Sequence, residues 1–96
     1  MIHVYTTCSI VIGKESEIKN AFLDLRDLSV KKGAKYLGFW WTVGGEDPEA
    51  SWLFSWHSLN NYRKGIEEMR KESRYPIEEL ASNVISLNDK ILLPEP

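Results

Sequence analysis

Aromatic side chains are concentrated in one short part of the sequence. All four tryptophans fall in the runs YLGFWWT and SWLFSWH, which stand on either side of the segment VGGEDPEA. Aromatic rings stack on planar organic molecules, and they also fill ordinary cores and subunit interfaces. The two runs therefore predict either an aromatic ligand cavity or an aromatic packing surface. The candidates for a cavity lining are Trp40, Trp52, Phe54 and Trp56, and we favour the strand face that carries the last three.

Hydroxyl groups near the start of the chain form a second candidate set. The segment IHVYTTCSIVI at residues 2–12 alternates between an aliphatic face and a polar face. The polar face carries Tyr5, Thr7 and Ser9. We expect this face to point into a cavity, where these side chains would hydrogen-bond a ligand. A wet sheet edge or a water-filled dimer interior is an equal alternative.

The usual catalytic groups are scarce in this sequence. His3 and His57 have no carboxylate at metal-ligand spacing, so we predict no metal site and expect solvated or capping roles for both. Cys8 shares the aliphatic strand face, where we expect it to be a buried packing residue. Because no acid-base pair stands out, the catalytic residues stay unassigned and no cofactor is expected.

Size and charge limit the class of protein. With 96 residues and 43% hydrophobic composition, the chain predicts one domain over 1–96, whose modest core would gain from a second subunit. A formal net charge of -2 gives no reason to expect nucleic acid or an anionic membrane as a partner. The apolar runs are too short to span a bilayer and the start of the chain lacks signal-peptide features, so we expect a cytoplasmic protein.

Hydrophobic periodicity predicts the elements that must position the candidate residues. Ser58 is a suitable N-cap for a second helix, and Gly65 predicts that this helix passes close over a sheet. The predicted elements are a strand over 2–12, a helix over 15–32, hairpin strands over 35–43 and 50–57, a helix from 59 that is broken by Pro76, a third helix over 77–84, and a strand in the tail 88–96 that ends at Pro94.

This order predicts an α+β protein of ferredoxin-like βαββαβ type, with a four-stranded antiparallel sheet and both long helices on one side. The other side would be left bare, although neither face of the aromatic hairpin reads as a water face. We therefore expect a homodimer in which two sheets close into an eight-stranded barrel. The expected lining of its cavity is Tyr5, Thr7, Ser9, Trp40, Trp52, Phe54 and Trp56.

The runs YLGFWWT, SWLFSWHSL and RYPIEELASNVISLNDKILLPEP resemble the NIPSNAP family of the dimeric α+β barrel superfamily. The resemblance implies the fold and the homodimer more firmly than an activity. The sequence departs from the family pattern at Val43, Ser55 and His57, where members tend to carry acidic groups. A polar or proton-transfer role at those positions is therefore not expected.

The wider superfamily includes cofactor-free monooxygenases, haem-degrading enzymes and proteins that only bind. Trp56 is similar in placement to a tryptophan that lines the pocket of several of those oxygenases. Haem degradation is disfavoured because residues 59–84 contain no histidine that could serve as an axial ligand.

Three classes of function follow from these observations. We favour binding of a small planar organic molecule in an aromatic cavity. The alternatives are a cofactor-independent monooxygenase-like enzyme that acts on phenolic or quinone-like substrates, and a purely structural or interaction dimer. RNA binding through the aromatic sheet face ranks last, because the (K/R)-G-(F/Y) signature is absent and the net charge is negative.

Overall fold

The computed structural model describes residues 1–95. Along this part of the chain the elements follow the predicted order of strands and helices, with one sheet and three helices. They are β1 (Ile2–Ile10), α1 (Glu15–Lys31), β2 (Lys35–Thr42), β3 (Glu49–Trp56), α2 (Leu59–Met69), α3 (Ile77–Asn83) and β4 (Val84–Leu92).

The four strands form one antiparallel sheet in the order β2-β3-β1-β4. The central strands β1 and β3 place Val4 opposite Phe54 and Thr6 opposite Trp52. On the other side of β1, the edge strand β4 places Asp89 opposite Thr6. The predicted ferredoxin-like α+β fold with a four-stranded antiparallel sheet is therefore confirmed.

Burial alternates along β1 as the sequence pattern predicts. Ile2, Val4, Thr6, Cys8 and Ile10 are buried, whereas the residues that alternate with them are only partly buried. The buried face contacts the helices, because the aliphatic side chains leave water only on that side. Cys8 is 2% exposed, and burial raises the pKa of its thiol. It is a packing residue, as expected.

Helix α1 covers the aromatic part of the sheet. Its buried Phe22 lies with its ring centroid 4.6 Å from that of Phe39 and 5.1 Å from that of Trp52. The tilted and offset geometry of these pairs is the arrangement that aromatic rings prefer. Gly33, with φ of 112°, ends this helical segment in a conformation that other residues rarely adopt.

Helix α2 begins and crosses the sheet as the sequence predicts. The Ser58 hydroxyl oxygen accepts a hydrogen bond from the Asn61 backbone N–H at 3.1 Å, which confirms the N-cap. A Cβ built on Gly65 would lie 2.5 Å from Cζ3 of Trp56. Gly65 is therefore where the helix backbone passes directly over the indole ring.

Several predicted boundaries are wrong. Strand β1 ends at Ile10 rather than at residue 12, because the chain then turns: the Lys14 N–H bonds to the Val11 carbonyl at 3.0 Å. Helix α2 ends at Met69, well before Pro76, because tight turns follow it: the Glu72 N–H bonds to the Met69 carbonyl at 3.0 Å.

Strand β4 begins at Val84, earlier than the predicted start at residue 88, and this shortens the third helix. The reason is pairing: Val84 lies opposite Ile10 and Ser86 lies opposite Ser9, so the whole length of β1 is used. Because Val84 and Ile85 are β-branched, the segment also suits a strand.

One side of the sheet carries no helix from residues 1–95. The strand residues that point to this open face include Tyr5, Thr7, Leu53 and Trp40, which pair across the strands in one register. Trp40 is 49% exposed, which is notable for a tryptophan because this residue type is highly buried on average. None of the helices in residues 1–95 is long and apolar enough to cross a membrane.

Candidate functional site

A cavity of about 100 Å³ lies between the sheet and the three helices. Residues of β1, β3 and β4 line the cavity on the sheet side, and residues of the three helices line it on the other side. Its aliphatic lining consists of Val4, Leu25, Ile66, Leu80 and Leu87.

Aromatic rings form the largest part of the cavity wall. Trp52, Phe54 and Trp56 point into it together because alternate residues of β3 share one face. From the helical side, Tyr62 packs edge-on against Trp56, with ring centroids 5.8 Å apart and planes at 70°. Tyr75 completes the aromatic lining from the segment between α2 and α3.

The polar end of the cavity is a hydroxyl-carboxylate pair. The Thr6 hydroxyl donates a hydrogen bond to Oδ1 of Asp89, which lies directly across the β1-β4 pairing. Thr6 is buried, whereas Asp89 is exposed at the edge of the cavity. A carboxylate fixed by a neighbouring hydroxyl is a directed acceptor for a hydrogen-bond donor.

Tyr62 supplies the second polar group of the cavity. Burial raises the pKa of its phenol, the negative charge of Asp89 raises it further, and Tyr75 adds a smaller effect, while Arg70 lowers it. The phenol of Tyr62 therefore keeps its proton at neutral pH and can donate a hydrogen bond.

The seven residues that the sequence singled out do not lie together. Trp52, Phe54 and Trp56 line the cavity on the helix-facing side. The other four point to the open face of the sheet: Tyr5, Thr7, Ser9 and Trp40.

The expectation of one cavity lined by all seven is therefore corrected. Tyr5 lies opposite Leu53 and Thr7 lies opposite Ser51, so the polar face of β1 shares its side with the spacer residues of β3 and not with the aromatic ones. Whether any of the seven binds a ligand stays a prediction.

The open face has its own unsatisfied groups. His3 lies opposite Ser55 across the β1-β3 pairing, and both Nδ1 of His3 and Oγ of Ser55 are buried without a hydrogen-bond partner within residues 1–95. Nearby, the indole of Trp40 folds over Gly38, since a Cβ at Gly38 would lie 2.6 Å from Cη2 of Trp40. This surface holds buried polar atoms that cost free energy while they are unpaired.

A second hollow, of about 320 Å³, lies between α1 and β2 and is open to solvent. Two cations, Lys19 and Arg26, stand beside an aromatic surface from β2 that includes Tyr36 and Trp41. The Arg26 guanidinium carbon lies 5.8 Å from the centre of the Tyr36 ring. Cations line this hollow, whereas a carboxylate lines the cavity between the sheet and the three helices.

The remaining candidates do not form a metal centre. In residues 1–95, no three His, Cys, Asp or Glu side chains come close enough together to hold a metal ion. His57 is exposed beside the start of α2.

Sequence reasoning missed the polar residues of the cavity. Asp89 was overlooked because β4 was expected to begin only one residue before it. A signal was present: Asp89 stands between Leu87 and Ile91 on the inward face of the strand, and a carboxylate at an apolar position indicates a function. Tyr62 was predicted to belong to the apolar face of α2, but its phenol was not considered.

The sequence matches no family model, and it matches no curated protein. Solved structures with the same fold are nevertheless numerous. A NIPSNAP family protein from Agrobacterium tumefaciens has 18% sequence identity and a TM-score of 0.82, with 98% of this chain and 92% of that chain covered. An uncharacterized NIPSNAP domain protein from Burkholderia xenovorans has 14% identity and a TM-score of 0.79, with 99% and 95% covered.

The fold also occurs in an enzyme. SnoaB, a cofactor-independent oxygenase from Streptomyces nogalater, has 7% identity and a TM-score of 0.72, with 99% of this chain and 93% of that chain covered. At these identities the likeness concerns the fold. The chain thus has the fold of NIPSNAP family proteins, as the sequence resemblance implied.

Proposed function

We propose that the protein binds a small planar organic molecule in the cavity between the sheet and the helices. The observation that carries this proposal is the combination of an aromatic wall with a directed polar end. Trp52, Trp56 and Tyr62 offer ring surfaces, and Asp89 offers an acceptor oriented by the Thr6 hydroxyl. Ligand sites in proteins typically combine an apolar lining with a few placed polar groups in this way.

The size of the cavity favours a small ligand. An engineered apolar cavity of about 150 Å³ holds benzene. The cavity here measures about 100 Å³, so a single-ring molecule requires only small shifts of the lining side chains. Tyr75 and Leu80 are suited to such a shift, because both are only partly buried and α3 carries no buried residue.

We also propose that the open face of the sheet packs against the same face of a second copy, which closes an eight-stranded barrel. The half-exposed Trp40 supports this, since large exposed aromatic patches are rarely left uncovered. A two-fold axis would bring the same surface of both copies together.

Cofactor-independent oxygenase chemistry is the second candidate function. Trp56 lines the cavity between the sheet and the helices, the superfamily resemblance implies a pocket tryptophan at its position, and SnoaB has the same fold. In such a reaction Asp89 would accept the proton of a phenolic substrate. Oxygen consumption with phenolic substrates, compared between the wild type and Asp89→Asn, distinguishes catalysis from binding.

Two measurements test the binding proposal. Native mass spectrometry of the purified protein, followed by unfolding of the same sample, is expected to show a dimer and a small molecule released on unfolding. A panel of neutral single-ring compounds should also raise the melting temperature of ligand-free protein, because a ligand stabilises the state that binds it. If neither measurement detects a ligand, the proposal is contradicted.

A further inference from the structure

We propose that the ligand of this cavity is an organic cation, a protonated amine whose apolar body packs against the aromatic rings and whose ammonium group faces Asp89. The inference rests on the proposed function and deepens it, because it names the charge of the ligand. It follows from the charged groups that line the cavity: among the described residues a carboxylate is present there and cations are not.

The lining of the cavity has one formal charge. Among the described residues that line it, Asp89 is the one carboxylate, and none is Lys, Arg or His. A cation would therefore meet attraction at the polar end and no repulsion from the walls. An anion would meet the opposite field.

Aromatic rings add to this preference. The face of an aromatic ring carries negative potential, so ammonium groups are attracted to it, most strongly for tryptophan. Trp56, Trp52 and Tyr62 stand around the same space as Asp89. A carboxylate combined with several ring faces is the arrangement by which proteins recognise organic ammonium groups.

Asp89 keeps an oxygen free for the ligand. Its Oδ1 accepts the hydrogen bond from Thr6, whereas Oδ2 accepts none and forms no ion pair within residues 1–95. Lys90, the next residue, pairs with Tyr5 and therefore points to the open face. The carboxylate is thus oriented by a neutral hydroxyl and is not neutralised by a neighbouring cation.

Arg70 is the cation whose charge affects the pKa of Tyr62. It lowers that pKa, whereas Asp89 raises it by more. Arg70 is exposed and does not line the cavity, so among the described residues no cation occupies the place of the proposed ammonium group.

A series of matched probes tests the inference: benzylamine, benzyl alcohol and benzoate share one ring and differ in charge at pH 7. The readout is the indole N–H resonance of Trp56 in ¹⁵N-labelled protein. Because Trp56 lines the cavity between the sheet and the helices and not the hollow at Lys19 and Arg26, its resonance reports binding in the cavity. We expect benzylamine to bind about tenfold more tightly than benzyl alcohol, and benzoate to bind most weakly.

Asp89→Asn provides the decisive comparison, because the amide oxygen can still accept from Thr6. This variant is expected to bind benzyl alcohol within about twofold of wild type while the preference for benzylamine falls to about twofold or less. Asp47→Asn, in the exposed turn between β2 and β3, is the matched control and should keep the full preference.

The outcomes separate the inference from the proposed function. If benzyl alcohol or benzoate shifts the Trp56 resonance at equal or lower concentration than benzylamine, the ligand is not selected as a cation, although the cavity still binds small molecules. If Asp89→Asn keeps the full preference, Asp89 is not its source and the inference is overturned. If none of the three probes shifts the resonance, the proposed function fails as well.

Discussion

The backbone of α2 at Gly65 packs directly against the indole ring of Trp56, so closely that a side chain at position 65 would not fit between them. A Cβ at position 65 would lie 2.5 Å from Cζ3 and 2.6 Å from Cη2 of the indole, which is shorter than real Cβ contacts. The indole that forms part of the cavity wall is therefore held in place by the backbone of α2. A substitution at Gly65 tests how much this contact contributes to the stability of the protein.

Gly65→Ala is expected to destabilise the protein by about 1 to 3 kcal/mol, because the indole must move out of a well-packed position. Alanine's higher helix propensity offsets this by about 1 kcal/mol at most. Chemical denaturation measures the change. Lys64→Ala, on the exposed side of the same helix, is the control and should alter stability by less than about 0.5 kcal/mol. Equal stability of Gly65→Ala and wild type would show that the indole has room to move.

Trp56→Phe is expected to reduce the affinity for single-ring ligands by about tenfold, because the cavity wall loses part of its ring surface. The loss of stability should stay near 1 to 2 kcal/mol, since a large aromatic side chain remains. Calorimetric titration and denaturation measure the two effects. Trp40→Phe changes the same residue type on the opposite face and should leave affinity unchanged. Equal effects of both variants on affinity would contradict the placement of the site.

Trp40→Glu is expected to weaken the proposed dimer strongly. A tryptophan at the centre of an interface contributes about 2 kcal/mol or more, and a two-fold axis makes each substitution act twice. Sedimentation velocity over a range of concentrations measures the dissociation. Trp41→Glu is the control, because Trp41 is similarly exposed but points to the helix-facing side. Dissociation by Trp41→Glu alone would place the interface elsewhere.

Glu72 makes stability depend on pH at the acidic end. A hydrogen bond from Lys32 and the charge of Lys31 lower the pKa of its carboxyl below the ordinary value of 4.5, and the Lys32 Nζ to Glu72 Oε1 distance is 3.3 Å. Its contribution to stability is therefore present above the ordinary pKa and is lost as the pH falls through the lowered one.

Glu72→Gln is expected to lower the melting temperature slightly at pH 7 and to leave it unchanged below the lowered pKa, where both side chains are neutral. Thermal unfolding from pH 7 to pH 2 measures the difference. Glu67→Gln, on the exposed side of α2, is the control and should show no such convergence. A difference that stays constant over the whole range would rule out the ion pairs as its cause.

The order of elements was predictable because each element has a local signal in the sequence. The Ser58 cap and the close approach at Gly65 were both expected from residue type and position alone. The ends of β1, α2 and β4 were not, because they depend on which strand pairs with which residue. Val84 belongs to β4 and not to α3 because it pairs with Ile10 of β1.

The face that each candidate occupies also depends on register. Both parities of β2 carry aromatic side chains, so nothing within residues 35–42 indicates which one meets the helices. The pairing of Trp52 with Thr6 decides it, by placing the β3 aromatics on the same side as the aliphatic residues of β1. The pairing with Thr6 likewise places Asp89 at the cavity, which the alternation of Leu87, Asp89 and Ile91 only indicates.

The indole N–H resonances of the four tryptophans test the central claim in one titration with benzyl alcohol. The claim that the cavity lies between sheet and helices predicts that the resonances of Trp52 and Trp56 shift together, with one dissociation constant. Trp40 on the open face and Trp41 at the edge strand should stay unchanged until far higher concentrations. Shifts that appear first at Trp40 or Trp41, or at none of the four, would contradict the claim.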